Sequence, residues 1–218
     1  MSLKKVSILI IIILLIDQVS KLYIKTHFQL HESLEIFSWF KIYFVENDGM
    51  AWGTKLNDII PFISDRTAKL SLTIFRIFAI FGIGYWLVNS VRNKQSKTLL
   101  LALVFIFAGA LGNIIDSVFY GVYFNNSYGQ VASFMPINGG YGKLLFGNVV
   151  DMLYFPLWQG NLPEWIPFIG GRNFIFFEPV FNIADVAIAI GFSILLLFNK
   201  KAFPKNDTSI NTSTIENA

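Results

Sequence analysis

Long apolar runs alternate with polar segments along this chain. Four of the runs reach about 20 residues, the length that an α-helix needs to cross a hydrocarbon core of about 30 Å. They cover residues 6–24, 67–91, 98–120 and 180–198. The pattern therefore predicts an all-α membrane protein with four transmembrane helices, in which residues 1–199 form one domain.

Basic residues predict the orientation of these helices. Lysine and arginine crowd both ends of the chain and the short segment between the second and third runs. The positive-inside rule places those segments, and both termini, in the cytoplasm. Residues 25–66 and 121–179 then lie on the outer side. The tail, residues 200–218, is rich in Asn, Thr and Ser and is predicted to be disordered.

The two outer segments differ in the elements that they predict. Residues 34–45 are rich in aromatic and β-branched side chains, which favour strands. Asp48-Gly49 and Trp52-Gly53 are typical of turns, so we predict a small β-sheet that lies against the membrane. The second segment is rich in Gly, Asn and Pro. It predicts loops, with a short helix near Trp165.

The composition agrees with a membrane protein and excludes some kinds of binding and catalytic site. Of 218 residues, 54% are hydrophobic and 14% are charged, against about 25% charged in soluble domains. The net charge is only +3, with no basic block of the kind that binds nucleic acid. The chain has no cysteine, so a thiol nucleophile is excluded, and only two histidines are present.

Ionisable residues inside the predicted helices mark candidate functional positions, since each costs about 2.5 to 3.5 kcal/mol at the centre of a membrane. Asp17 and Lys21 are four residues apart and can form an ion pair. That pair serves either helix packing or function. Arg76 is either a side chain that reaches towards the interface or a buried cation that keeps a carboxylate charged.

More carboxylates and amides gather near the outer ends of the helices. Asn113 and Asp116 are three residues apart, as are Asn182 and Asp185, so each pair shares a helix face. Asp151 lies in the outer segment between them. A proton-coupled transporter, the main alternative, is expected to arrange its carboxylates as a ladder across the membrane. A cluster at one level favours a reaction at the outer interface.

Two adjacent carboxylates can hydrolyse a peptide bond without a metal or another cofactor. They cannot both ionise cheaply, so they share a proton. One takes a proton from the attacking water and the other protonates the carbonyl oxygen. Two alternatives stay open. They are a magnesium enzyme with aspartate ligands, and serine chemistry through Ser20 and Lys21, although adjacent helical residues point about 100° apart.

Five motifs, in order, resemble the lipoprotein signal peptidase family, also called signal peptidase II. They are Asp17-Gln18-Val19-Ser20-Lys21, Asn47-Asp48-Gly49-Met50-Ala51-Trp52, Gly112-Asn113-Ile114-Ile115-Asp116, Val149-Val150-Asp151 and Phe181-Asn182-Ile183-Ala184-Asp185. The resemblance implies a four-span endopeptidase of the bacterial inner membrane, with its site on the outer face. Its substrates would be prolipoproteins, cut before a cysteine that carries a diacylglyceryl group, and globomycin would inhibit it.

The resemblance also implies roles for individual residues. Asp151 and Asp185 match the family's catalytic pair. The positions that match supporting or substrate-binding residues are Asp17, Lys21, Asn47, Gly49, Asn113, Asp116 and Asn182.

Two departures from the family pattern raise further questions. Ser117 stands where the family usually has an arginine, and we predict that Arg76 supplies the missing charge from the neighbouring helix. Residues 121–146 form an insertion where the family commonly has only a few residues. The insertion could be a lid over the site or a contact for a partner, and the sequence leaves its role open.

Overall fold

The computed structural model describes residues 1–47 and 63–204. The predicted turns at Asp48-Gly49 and Trp52-Gly53, and the site position Gly49, lie outside these residues. So does the tail from residue 205 onwards, whose disorder stays a prediction.

Three long apolar helices correspond to the first three predicted spans. They are α1 (Leu3–His27), α2 (Asp65–Arg92) and α3 (Lys97–Ile115), which continues through a π-helical turn (Asp116–Tyr120) into the short α4 (Gly121–Tyr123). Ser2, Ser64 and Ser96 cap the three helices by accepting a backbone N–H three residues on. Each of the three is long and apolar enough to cross a membrane.

The fourth apolar run forms a shorter helix than predicted. Helix α5 (Ile183–Leu197) has 15 residues and spans about 22 Å. It begins later than residue 180 because Val180–Phe181 pairs as a strand, β6, and because Asn182 caps the helix. A further short helix, α6 (Asn199–Ala202), occupies the start of the predicted tail.

Helix α3 lies at the centre of the bundle and packs against α1, α2 and α5. Its closest approach is to α5, where glycines let the backbones meet. A Cβ atom on Gly109 would lie 2.3 Å from the carbonyl oxygen of Ala184, and one on Gly191 would lie 2.7 Å from that of Ala102. The start of α5, which carries Asp185, is thereby held against α3.

We expect Gly109→Ala to destabilise the protein by about 1 to 3 kcal/mol, because the new methyl group overlaps the α5 backbone. Gly82→Ala is the matched control, since Gly82 lies on α2 with nothing within 4 Å of its Cβ position. That change should be neutral or slightly stabilising, as alanine favours helix. Thermal unfolding of both variants checks the expectation, and equal melting temperatures would contradict it.

A four-stranded antiparallel sheet lies at the C-terminal ends of α1 and α3, in the order β1 (Ser33–Phe37), β2 (Phe40–Asn47), β3 (Val149–Tyr154), β6. A separate hairpin consists of β4 (Trp158–Asn161) and β5 (Asn173–Phe176). The prediction of loops throughout residues 121–179 was therefore wrong for three strands. The helix predicted near Trp165 was also wrong, since residues 164–171 are turns, interrupted by Pro167.

The insertion, residues 121–146, folds back over the C-terminal end of α1. Its Ser127 carbonyl accepts a hydrogen bond from the Leu30 backbone at 3.0 Å, and Gln29 forms a β-bridge with Val131. Phe124, which is 1% exposed, fills a hydrophobic cluster with Phe28, Phe44 and side chains of β3. The insertion is thus packed into the fold beside β2 and β3.

Candidate active site

A chain of hydrogen bonds links the two predicted catalytic carboxylates. Asn182 donates from Nδ2 to Asp151 Oδ1 at 2.7 Å and to Asn113 Oδ1 at 3.0 Å. Asn113 in turn donates from Nδ2 to Asp185 Oδ1 at 2.8 Å. Residues from β3, α3 and the start of α5 therefore converge on one site.

Local structure fixes both carboxylates. Asp151 lies in β3 and is 3% exposed, and its strand neighbours Val150 and Met152 are 0% and 2% exposed. Asp185 is half-buried in the first turn of α5. There Asn182 Oδ1 accepts the Asp185 N–H at 2.9 Å, and Asp185 Oδ2 accepts the Asn182 N–H at 3.2 Å. This reciprocal cap holds the Asp185 side chain at the helix terminus.

The environment of Asp151 changes its acidity. Burial raises the pKa of Asp151, and the charge of Asp185 raises it further. Hydrogen bonds from Asn47, at 3.2 Å, and from Asn182 favour the ionised form, and the resulting pKa is about 7. A carboxyl group with this pKa can hold or release a proton near neutral pH, as acid–base catalysis requires.

Lys21 organises the buried charges behind the pair. Its ammonium contacts Asp17 at 3.0 Å and Asp116 at 2.9 Å, and it donates to Asn113 Oδ1 at 2.9 Å. Lys21, Asp17 and Asp116 are at most 1% exposed. Because Lys21 occupies the Asn113 oxygen, the Asn113 amide nitrogen faces Asp185. The predicted Asp17–Lys21 ion pair thus belongs to a larger network.

Asp17 and Asp116 of this network also accept hydrogen bonds from backbone N–H groups of α5 and β3. Asp17 Oδ1 accepts the Ala184 N–H at 2.9 Å, next to Asp185. Asp116 Oδ2 accepts the Val150 N–H at 3.3 Å, next to Asp151. Each carboxylate of the network therefore binds the residue that precedes one member of the pair.

Gln18 also belongs to the site, although its position in the sequence predicted no role for it. Its amide nitrogen donates to Asp17 Oδ2 and Asp116 Oδ1, both at 3.0 Å, and its oxygen accepts the Tyr120 hydroxyl at 3.2 Å. The sequence contained one signal for Gln18, since it is a polar amide beside a charged residue inside an apolar run. The sequence pattern also predicted no role for Lys25 or Glu46.

Arg76 and Ser117 differ in their relation to the pair. The half-buried Arg76 on α2 interacts electrostatically with Asp185 and Asp151. The Ser117 hydroxyl instead donates to the Asn113 carbonyl one turn back, at 2.9 Å. Arg76 on α2 therefore adds a positive charge that acts on both carboxylates. That Arg76 replaces the family arginine at the position of Ser117 stays a prediction.

An apolar cavity opens beside Asp185. It has a volume of about 490 Å³ and follows α5 from Asp185 to Phe198, with Phe177, Phe181 and Ile190 in its wall. In the part of the chain that the structure describes, no group of three or more His, Cys, Asp or Glu could hold a metal ion.

Comparison with known proteins places this chain in a family. The family model described as signal peptidase (SPase) II matches residues 9–200. The chain belongs to the signal peptidase II family. The family predicted from the five motifs is confirmed, as is its peptidase function, and the transporter alternative finds no support.

Relatives of this signal peptidase II chain share most of its length. It is 44% identical to a lipoprotein signal peptidase of Porphyromonas gingivalis, covering 94% of this chain and 91% of that protein. It is 38% identical to a lipoprotein signal peptidase of Amoebophilus asiaticus, and the match covers 84% of this chain and 72% of that protein. A bacterial membrane enzyme solved by the in meso method at 1.9 Å resolution has a similar fold, with a TM-score of 0.59 and 22% sequence identity. The match covers 92% of this chain and 96% of that enzyme.

Proposed function

We propose that Asp151 and Asp185 are the catalytic pair with which this chain removes signal peptides from prolipoproteins, cutting before a diacylglyceryl-modified cysteine. The observation that carries the proposal is the hydrogen-bond chain from Asp151 through Asn182 and Asn113 to Asp185. It brings the two carboxylates to one site, where the charge of one changes the acidity of the other.

In the proposed mechanism the pair carries one proton. The ionised carboxylate takes a proton from water while the water oxygen attacks the scissile carbonyl carbon. The protonated carboxyl gives its proton to the carbonyl oxygen, which forms a tetrahedral diol. The carboxyl that took its proton from water then gives that proton to the scissile nitrogen, while the other carboxylate takes a proton from a diol hydroxyl. The C–N bond breaks, the diol carbon becomes the new carboxyl carbon, and the pair again carries one proton. Acid and base are roles of the coupled pair.

We further propose that α1, α2, α3 and α5 cross the inner membrane with both termini in the cytoplasm. Basic residues lie at the ends away from the sheet, in Lys4-Lys5, in 92–97 and in Lys200-Lys201. Membrane lipid would cover the exposed aromatic face of α2, where Phe75, Phe78 and Phe81 are 68 to 72% exposed. The catalytic pair then lies at the extracytoplasmic face.

The apolar cavity beside Asp185 suits a prolipoprotein substrate, because the wall of the cavity can contact the apolar signal segment in the membrane. Arg76 would supply the cation that the family carries at the position of Ser117. Globomycin, an inhibitor of the family, should then inhibit this enzyme.

The test is cleavage by the purified enzyme in lipid nanodiscs. A prolipoprotein with the diacylglyceryl group should be cut directly before the modified cysteine, as mass spectrometry would reveal. The same protein without the lipid should be cut poorly, and globomycin should stop the reaction. EDTA should have no effect. Loss of activity in EDTA, or cleavage at another bond, would contradict the proposed chemistry.

The pKa of Asp151 predicts how activity depends on pH. Above about pH 7 Asp151 loses its proton, so kcat/KM should fall as pH rises through about 7. Asn47→Ala removes a hydrogen bond that favours ionised Asp151, so the fall should move to higher pH. The pH profiles of both enzymes measure this. An unchanged profile in Asn47→Ala would contradict the assignment.

A further inference from the structure

A second buried polar network lies beside the site, and nothing described above gives it a role. The Lys25 ammonium, 0% exposed, forms an ion pair with Glu46 and donates to the Ser127 hydroxyl at 2.9 Å. It also lies over the rings of Tyr141 at 4.9 Å and Phe124 at 5.8 Å. The last three of these residues belong to the insertion. A buried ammonium is costly without partners, so the insertion supplies much of what Lys25 needs.

Glu46 is the centre of this network. Its Oε1 accepts from Lys25 and, at 2.8 Å, from Ser127, while its Oε2 accepts from Asn148 Nδ2 at 2.9 Å. The Asn148 backbone N–H donates to the Tyr141 hydroxyl at 2.6 Å, and Asn148 Oδ1 accepts from Lys69 of α2. The end of β2 and the residue before β3 are thereby attached to the insertion, α1 and α2.

The network adjoins the catalytic pair through the sheet. Asn47 follows Glu46 and pairs with Val149, while Glu46 pairs with Val150. Successive residues of a strand point to opposite faces. Glu46 therefore faces the network, while Asn47 faces the site and donates to Asp151 Oδ2. A shift of Glu46 would move Asn47. It would also disturb the pairing of β2 with β3, the strand that contains Asp151.

The insertion is fixed at both ends. The Gly147 N–H donates to the Ser117 carbonyl at 2.8 Å, and the Gly142 N–H donates to that of Gly121 at 2.7 Å. A Cβ atom on Gly147 would lie 2.0 Å from the Asp116 carbonyl oxygen, so the chain passes directly against the end of α3. These contacts differ from those of a lid, which must be able to leave the site.

We propose that the insertion is a brace for the active site, in which Ser127 and Glu46 are positioning residues that hold Asn47 against Asp151. The brace rests on the proposed catalytic role of Asp151. Neither Ser127 nor Glu46 contacts the pair itself, so the network acts through the strands.

Ser127→Ala tests the brace by removing only the hydroxyl that bonds to Lys25 and Glu46, and Ser127→Thr keeps that hydroxyl. Ser133→Ala is the matched control, since Ser133 is exposed on the same insertion. We expect Ser127→Ala to lower kcat about 10-fold with KM unchanged, because small displacements of catalytic groups are costly. Ser127→Thr should restore kcat at least in part, and Ser133→Ala should match the parent. Glu46→Gln should lower kcat further.

The pH profile separates positioning from a purely structural role. A displaced Asn47 no longer favours ionised Asp151, so the fall in kcat/KM should move to higher pH in Ser127→Ala. Among the residues that the structure describes, the charged groups that act on Asp151 include Asp185 on α5, Lys21 on α1 and Arg76 on α2, and all three are retained in this variant.

Two results would overturn the brace. One is a Ser127→Ala enzyme with a lower melting temperature but the parent's kcat and pH profile per folded molecule. The other is a change in KM alone, which would indicate a substrate contact of the kind that a lid makes. Activity retained in Asp151→Asn would instead refute the proposed catalytic role, so the two failures can be told apart.

Discussion

Asp151→Asn and Asp185→Asn are each expected to lower the rate of prolipoprotein cleavage by at least about 100-fold, since acid–base assistance contributes about 10² to 10⁴. Each replacement keeps the size of the side chain and removes its ionisable group. Because the two carboxylates share one proton in the proposed mechanism, the double variant should lose little more than either single one.

Single-turnover cleavage of the lipid-modified substrate measures these rates. Asp65→Asn is the matched control, because Asp65 is an exposed aspartate in the first turn of α2. It should keep the parent's rate. Full activity in either Asp151→Asn or Asp185→Asn would remove that residue from the mechanism, and losses that multiply in the double variant would argue against a shared proton.

Lys21→Met is expected to destabilise the protein by about 3 to 5 kcal/mol, because it leaves Asp17 and Asp116 buried without their common cation. It should also reduce activity, since Lys21 no longer binds the Asn113 oxygen and the Asn113 amide can turn away from Asp185.

Thermal unfolding in detergent or nanodiscs measures the first effect. The control is Lys41→Met, which breaks an ion pair of similar length, 2.8 Å to Glu35, between side chains that are 32% and 59% exposed. Exposed pairs contribute about 0 to 1 kcal/mol, so the melting temperature should change little. Equal shifts in the two variants would contradict the importance of burial for the Lys21 network.

The sequence was sufficient to predict the helices that depend on apolar runs alone, and α1, α2 and α3 lie where those runs are. The sequence predicted too early a start for α5, because Val180–Phe181 is as apolar as the helix that follows. Its pairing with Leu153 and Tyr154 of β3 is a tertiary contact that the run does not contain.

Strand β3 was missed for a similar reason. Val149–Tyr154 becomes a strand by pairing with β2, about 100 residues earlier, whereas the surrounding Gly, Asn and Pro favoured a loop. Lys25 is the first residue of the predicted outer segment, residues 25–66, directly after a span, where a lysine usually reaches water. Its burial depends on Glu46 and on the insertion, and both are distant in sequence.

The positions of the site residues were more predictable than their contacts. Spacings of three and four residues correctly grouped Asp17 with Lys21, and Asn182 with Asp185. No spacing indicates that Asn113 and Asn182 form the link between Asp151 and Asp185, because that link depends on how three separate elements pack.

The shortness of α5 has a consequence for the supply of the second substrate, water. In the proposed topology α5 crosses the membrane, although its 15 residues are about 8 Å shorter than the hydrocarbon layer, and the bilayer would adapt to this mismatch by thinning beside the protein. The thinning would bring the hydrated headgroup layer towards the end of α5 that carries Asp185. Hydrolysis can then draw on interfacial solvent directly, without a pore through the helices.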